Sequence, residues 1–182
     1  MTLGEGKRKA LMLLDAYSLD GVLTADADLS ARMNDFFDMA QRDVSAWQPI
    51  VRRARLTLDG TGEMALPSDV QRVLRIRRGG KTAKDCEAVD GELLFRRGDT
   101  STVTLDYIAA AQPITPETPD DYVFEVSADA ANCLPYFVAA QQLVADLVVD
   151  YGAFYNMYLQ MRALLPRSTL SGGAVRQTLY GG

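Results

Sequence analysis

The stretch DAANCLPYFVAAQQLVADLVVDYGAFYNMYLQMRALL, residues 129–165, is the longest helical pattern in this sequence. Its apolar side chains recur at spacings of three, four and seven residues, while Gln142, Asp146 and Asp150 form one narrow polar stripe. A helix that is apolar on most of its circumference is one that other elements surround. The pattern therefore predicts one long helix over 129–165 at the centre of the domain, and it leaves open whether that helix bends at Gly152.

Two further helices are predicted earlier in the chain. Residues 6–17 place apolar residues on one face, behind a basic triplet at 7–9 that is either solvated or paired with nearby acids. Residues 26–47 have the clearest amphipathic pattern, with an apolar stripe opposite a charged face, and Pro49 follows that pattern. The expected core cluster includes Phe37, Val144 and Leu147.

Between these helices, residues 52–126 change from a helical period to alternation. The residues from Val103 to Ala109 alternate strictly, which is typical of a strand with one buried face. Asp90-Gly91 and Gly79-Gly80 are the residue pairs expected in tight hairpin turns. This region therefore predicts a small antiparallel sheet with one packed face and one wet face.

Together the patterns predict an α+β fold, namely a helical bundle around a long C-terminal helix, with an antiparallel β-hairpin insertion and an extended C-terminal tail. Residues 1–165 are predicted to form a single domain. The tail, 166–182, contains four glycines and no acidic residue, and 174–180 can form one strand. Such a segment either adds to a partner's sheet or frays as a chain terminus. The tail residues expected to contact a partner are Arg167, Leu170, Val175, Arg176, Leu179 and Tyr180.

The composition of the 182 residues argues against several classes of function. A net charge of −5 and a pI near 4.8 disfavour tight binding of nucleic acid, which needs clustered Lys and Arg. The sequence has no histidine, the most frequent proton-transfer group near neutral pH and the commonest metal ligand. Cys86 and Cys133 are expected to be reduced thiols. Because no signal peptide and no membrane-spanning run is evident, we expect a soluble intracellular protein.

We expect no catalytic, cofactor-binding or metal-binding residues, and therefore no enzyme. The fragment Gly79-Gly80-Lys81-Thr82 resembles the end of a phosphate-binding P-loop, but Arg75 stands where that motif needs a glycine. Asp26 and Asp28 lack the ligands that follow in a calcium loop. Asp120-Asp121 and Glu125 follow a proline-rich linker and are interpreted as solvated charges.

The densest basic group of the chain lies among the predicted hairpins. Arg75 and Arg77 would share one face of a strand, because alternate residues point to the same side. Such a group meets either phosphate or the acidic surface of a neighbouring subunit, and both interpretations stay open. The members of this group are Arg72, Arg75, Arg77, Arg78, Arg96 and Arg97.

Three stretches of the sequence resemble the head–tail connector adaptor proteins of tailed bacteriophages. The first is the second helix, which opens Ala27-Asp28-Leu29 and carries Met33-Asn34. The second is Leu66-Pro67-Ser68-Asp69-Val70, which leads into a basic strand. The third is the segment from Cys133 to Ala140, CLPYFVAA, which opens the C-terminal helical pattern. Together they span about residues 1–165.

The resemblance implies a structural subunit of a ring, commonly of twelve copies, that lies beneath the portal protein at the capsid vertex. Such rings join the portal to a downstream tail or stopper protein and line the channel through which DNA passes without specific binding. Tails of family members often reach into the portal. We therefore expect a virion protein of the head–tail interface, assembled in the host cytoplasm. The alternatives are another phage neck or tail-completion protein, or a nucleic-acid-binding regulator that uses the basic group between Arg72 and Arg97.

Overall fold

The computed structural model describes residues 1–14, 27–145 and 151–166. Over these ranges the chain is α+β, with four helices and two antiparallel sheets. The helices are α1 (Leu3–Leu13), α2 (Ala27–Trp47), α3 (Ala128–Ala145) and α4 (Gly152–Leu164). The strands are β1 (Ile50–Thr57), β2 (Glu63–Ala65), β3 (Val70–Arg78), β4 (Lys81–Thr82), β5 (Cys86–Val89), β6 (Glu92–Phe95) and β7 (Thr102–Ala109).

The chain divides into two compact units, each with its own hydrophobic core. The first, called the helical unit here, consists of the described residues of Met1–Gln48 and Ala111–Ser168. The second, called the β unit, consists of Pro49–Ala110 and contains all seven strands.

The predicted bundle around one long helix over 129–165 is wrong, because that stretch contains two short helices, α3 and α4. The rings of Phe137 in α3 and Tyr158 in α4 lie with their centroids 5.1 Å apart. A continuous helix would separate these two positions by about 30 Å at 1.5 Å per residue. The apolar surface of this stretch is therefore covered in part by the stretch itself, because α4 packs against α3.

The core of the helical unit joins α1, α2 and α3. Phe37 of α2 is fully buried, and its ring lies 5.2 Å from that of Phe124. Val144, expected in the same cluster, is 44% exposed, so that expectation is wrong. Leu147 lies outside the described residues. The helix α1 begins at Leu3 rather than at residue 6, because Thr2 and Glu5 form a capping box.

The two sheets of the β unit are antiparallel, with strand orders β1-β7-β3-β4 and β2-β6-β5. The strand predicted from the alternation of 103–109 is confirmed as β7. The Asp90-Gly91 hairpin is also confirmed, since β5 and β6 pair on either side of it and both residues have positive φ, 49° and 85°. Positive φ at both central positions is the requirement of the type I′ hairpin turn.

Candidate functional site

The outstanding surface of the β unit is one side of its four-stranded sheet. The register of β1, β7 and β3 sets three rows of side chains on this side. The rows are Val51–Ile108–Arg72, Arg53–Asp106–Arg75 and Arg55–Thr104–Arg77. Five arginines from two strands therefore lie on one side, and we call this set the arginine face: Arg53, Arg55, Arg72, Arg75 and Arg77.

A register shift in β3 brings Arg72 and Arg75 to the same side. Residues three apart in a regular strand point to opposite faces. The pairing of β3 with β7 shifts between Val73 and Arg75, which inserts one extra residue and returns Arg75 to the side of Arg72. This bulge is the local feature that concentrates the charge.

Asp106 is the acidic residue at the centre of the arginine face. It accepts hydrogen bonds from Arg53 Nε at 2.6 Å and from the guanidinium of Arg77, while 15% of its side chain is exposed. Burial raises the pKa of Asp106, but these hydrogen bonds outweigh that effect and hold its pKa below the usual value. Asp106 therefore stays ionised and fixes Arg53 and Arg77 in place.

The remaining arginines of the face are not neutralised in this way. Arg55 and Arg72 are exposed and Arg75 is half-buried. Within the described part of the chain, the side chains of these three form no ion pair and no hydrogen bond. Five guanidinium groups and one carboxylate leave the face strongly positive, so it can bind an anionic surface.

The structure does not bring the six predicted arginines together. Arg72, Arg75 and Arg77 lie on the arginine face, but Arg78 instead pairs with Asp85 and Asp99 and approaches Cys86 Sγ at 3.4 Å. Arg96 and Arg97 follow β6, where Arg97 Nε donates to the carbonyl of Thr61 at 3.2 Å. Sequence reasoning missed Arg53 and Arg55, although their alternation with Ala54 and Leu56 indicates a shared side of β1.

A second charged feature belongs to the helical unit. Glu117, Asp120 and Asp121, called the acidic loop here, are exposed in the segment that precedes α3. The side-chain amide of Asn34, which is 1% exposed, donates to the carbonyls of Thr115 at 2.8 Å and Pro116 at 3.2 Å. The acidic loop is therefore held by a buried side chain of α2.

The acids interpreted as solvated have defined partners. Asp120 pairs with Lys7 Nζ at 2.8 Å, and Lys7 is 4% exposed and also donates to Ser30. Glu125 accepts a hydrogen bond from the backbone N–H of Gln112 at 2.7 Å. The interpretation as solvated charge is therefore wrong for these two acids, which stabilise the loop instead.

The P-loop-like fragment is a hairpin turn. Gly79 and Gly80 have positive φ, 55° and 80°, and connect β3 to β4, which contains Lys81 and Thr82. Asp26 lies outside the described residues and Asp28 lies in α2. No group of three or more potential metal ligands is found in the parts of the chain that the structure covers.

The stretches that carry the family resemblance occupy structural positions. Asn34 holds the acidic loop, as described above. Asp69, which precedes β3, accepts hydrogen bonds from Arg52 Nη1 at 2.5 Å and from the Tyr107 hydroxyl at 3.1 Å, and so connects the strands β1 and β7. Cys133 and Leu134 of α3 are buried in the core of the helical unit, and burial raises the pKa of the Cys133 thiol.

A cavity of about 290 Å³ lies beside the start of β3 and the turn between β5 and β6. Apolar side chains such as Pro67, Val70 and Val89 line most of it, with Arg72 and Asp90 as the charged lining residues. The cavity therefore adjoins the arginine face at Arg72.

The tail residues predicted to bind a partner lie outside the described residues. They are Arg167, Leu170, Val175, Arg176, Leu179 and Tyr180. Their role in docking stays a prediction.

No family model matches the sequence, and a search of curated proteins finds no match. Among the described residues, none of the helices combines the length and the apolar character that crossing a membrane demands.

Proposed function

We propose that the protein is a structural subunit of a bacteriophage head–tail connector, an adaptor that assembles as a ring, of twelve copies by analogy with the family that it resembles. In this proposal it joins the portal protein to a downstream tail or stopper protein and lines the channel through which DNA passes. It acts as a virion component and turns over no substrate.

The observation that carries the proposal is where the three resembling stretches lie. Asn34 anchors the loop before α3, Asp69 ties β3 to two other strands, and Cys133 and Leu134 fill the helical core. A likeness of layout between structural proteins is expected to reside in such anchoring residues, since they determine how the elements meet. This supports a shared architecture with the adaptors more than a coincidence of surface residues would.

The charge of the chain also supports a role beside DNA that is not DNA binding. The net charge is −5, so the chain as a whole repels phosphate while DNA moves past it. A channel wall benefits from this property, whereas a protein that holds DNA does not.

The arginine face supports a second candidate, a nucleic-acid-binding regulator. The structure modifies that alternative, because the positive surface is Arg53, Arg55, Arg72, Arg75 and Arg77 rather than the whole group from Arg72 to Arg97. A regulator of this kind would be a small oligomer retained on DNA at moderate salt.

The test is attachment to a portal. The full-length chain is co-expressed with the portal protein encoded near it, and the complexes are examined by sedimentation and electron microscopy. We expect a ring of this chain bound to the portal ring. Recovery only with tail components would favour a tail-completion protein, and retention on DNA without portal attachment would favour the regulator; either result would contradict the adaptor role.

The tail is proposed as the arm that docks on the portal. Residues 166–182 contain Gly172-Gly173 and then Val175, Leu179 and Tyr180 in a strand-forming segment. Such a segment can add to the open edge of a partner's sheet through main-chain hydrogen bonds, with Arg167 and Arg176 paired to acidic groups. Leu170 would join the apolar contacts.

A further inference from the structure

We infer that the arginine face of one copy binds the acidic loop of a neighbouring copy, so that identical chains associate head to tail. This deepens the proposed function, since it names the surfaces by which a ring would form, and it rests on that function for the closure of the assembly. The partner is a second copy of this chain.

The first support is the division of charge along the chain. Residues 49–110, the β unit, contain 11 Lys and Arg against 9 Asp and Glu. The rest of the chain contains 8 Lys and Arg against 15 Asp and Glu. One unit is therefore basic and the remainder is strongly acidic, so each copy carries both members of a complementary pair.

The second support is that the arginine face is ordered before any partner arrives. Asp106 fixes Arg53 and Arg77, and the pairing of three strands sets the spacing of the rows. The exposed Arg55 and Arg72 stand at the two ends of this array. A guanidinium group binds a carboxylate with two parallel hydrogen bonds, which suits it to a contact between proteins.

The third support is that the acidic loop is ordered as well. The buried Asn34 holds its carbonyls, the Thr118 hydroxyl accepts from the Thr115 N–H at 2.8 Å, and Asp120 is tied to Lys7. Glu117 and Asp121 remain exposed, and in the described part of the chain their side chains form no ion pair. Two ordered surfaces lose little conformational entropy when they meet.

The geometry favours a copy of this chain over nucleic acid. A contact between two different surfaces of the same chain is heterologous, and repeated contacts of this kind close into a ring when the rotation allows it. Nucleic acid would have to approach a chain whose net charge is −5. An acidic loop on a neighbour carries only local negative charge and brings its own positive face to the next copy.

The experiment reverses each surface separately in the full chain. One variant carries Arg55→Glu and Arg72→Glu, which leaves the hydrogen bonds of Asp106 intact. The other carries Glu117→Lys and Asp121→Lys. A matched control carries Lys84→Glu and Arg96→Glu, two exposed residues of the β unit that lie off the arginine face. Circular dichroism and thermal unfolding establish that each variant is folded.

Self-association is measured by sedimentation velocity and native mass spectrometry, with the free protein in about 50 mM salt. We expect each reversed variant to associate about 100-fold more weakly than the wild type, because like charges then face each other. An equimolar mixture of the two variants should recover association, since every interface in an alternating assembly again joins opposite charges. The control should behave as the wild type.

Failure of the mixture to recover association, or equal loss in the control, would overturn the inference. So would a wild-type chain that does not associate, or reversed variants that associate normally. Loss of DNA retention in the arginine variant with unchanged association would assign the face to nucleic acid instead. Portal attachment is scored in its own assay, so the proposed function can stand when this inference fails.

Discussion

The hydroxyl of Tyr158 in α4 donates a hydrogen bond to the carboxylate of Asp43 in α2. Arg162, one turn further along α4, donates to the same carboxylate, and its guanidinium carbon lies 5.3 Å from the centroid of the Trp47 ring. Tyr158 is fully buried. Burial and the hydrogen bond to Asp43 both raise the pKa of Tyr158, so its hydroxyl stays a donor throughout the neutral range. This contact ties the last described helix to the second.

Tyr158→Phe should destabilise the protein by about 1–2 kcal/mol, because it removes a buried hydrogen bond to a charged acceptor while the ring remains. Chemical denaturation followed by circular dichroism measures the change. Tyr155→Phe is the matched control, since Tyr155 lies on the same helix and 36% of it is exposed. Equal effects of the two substitutions would show that the Asp43 contact contributes nothing specific.

Asp106→Asn should destabilise the β unit by about 1–3 kcal/mol at pH 7, since it removes the charge that Arg53 and Arg77 share. The pKa of Asp106 is lowered in the folded state, so the unfolded chain binds the proton more readily. The stabilisation is therefore present above the unfolded pKa of about 3.9 and is lost as the pH falls through the lower folded pKa.

The difference in unfolding free energy between wild type and Asp106→Asn should shrink on acidification below pH 4. Denaturant titrations at several pH values measure it. A difference that stays constant from pH 7 to pH 2.5 would mean that ionised Asp106 is not the source of the stabilisation. Asp59→Asn serves as control, because Asp59 is an exposed turn residue of the same unit that bonds locally to Thr61.

Asn34→Asp should cost about 2–4 kcal/mol at pH 7, because it places a buried carboxylate against the carbonyl oxygens of Thr115 and Pro116. Asn156→Asp, an equivalent change at an exposed position in α4, should change the unfolding free energy by less than about 0.5 kcal/mol. Thermal and denaturant unfolding compare the two. If Asn34→Asp is as stable as its control, the acidic loop is not held as described.

Val175→Asp with Leu179→Asp should weaken portal attachment while leaving the unfolding temperature of the free protein nearly unchanged, if the tail docks by burying these side chains. Gln177→Asp with Thr178→Asp introduces the same charge at polar positions of the same segment and should have a smaller effect. Co-sedimentation with the portal measures attachment. Unaltered attachment of the first variant would contradict the docking role, and a lowered unfolding temperature would assign the tail to the folded domain.

The sequence by itself determined the local elements of this protein. The alternation of 103–109, the Asp90-Gly91 turn and the amphipathic pattern of α2 each predicted the observed element, because backbone geometry couples directly to a period of 2 or 3.6 residues. The even spacing of Arg53 and Arg55 also placed them on one side of their strand.

Only the tertiary structure decided which faces meet. An all-round apolar helix over 129–165 and two short helices packed on each other bury similar residues, so periodicity could not separate them, whereas the contact between Phe137 and Tyr158 does. The arginine face likewise depends on β7 lying between β1 and β3 and on a bulge before Arg75. Such pairings join residues distant in sequence, and their free energy comes from burial and charge in the assembled fold rather than from any local pattern.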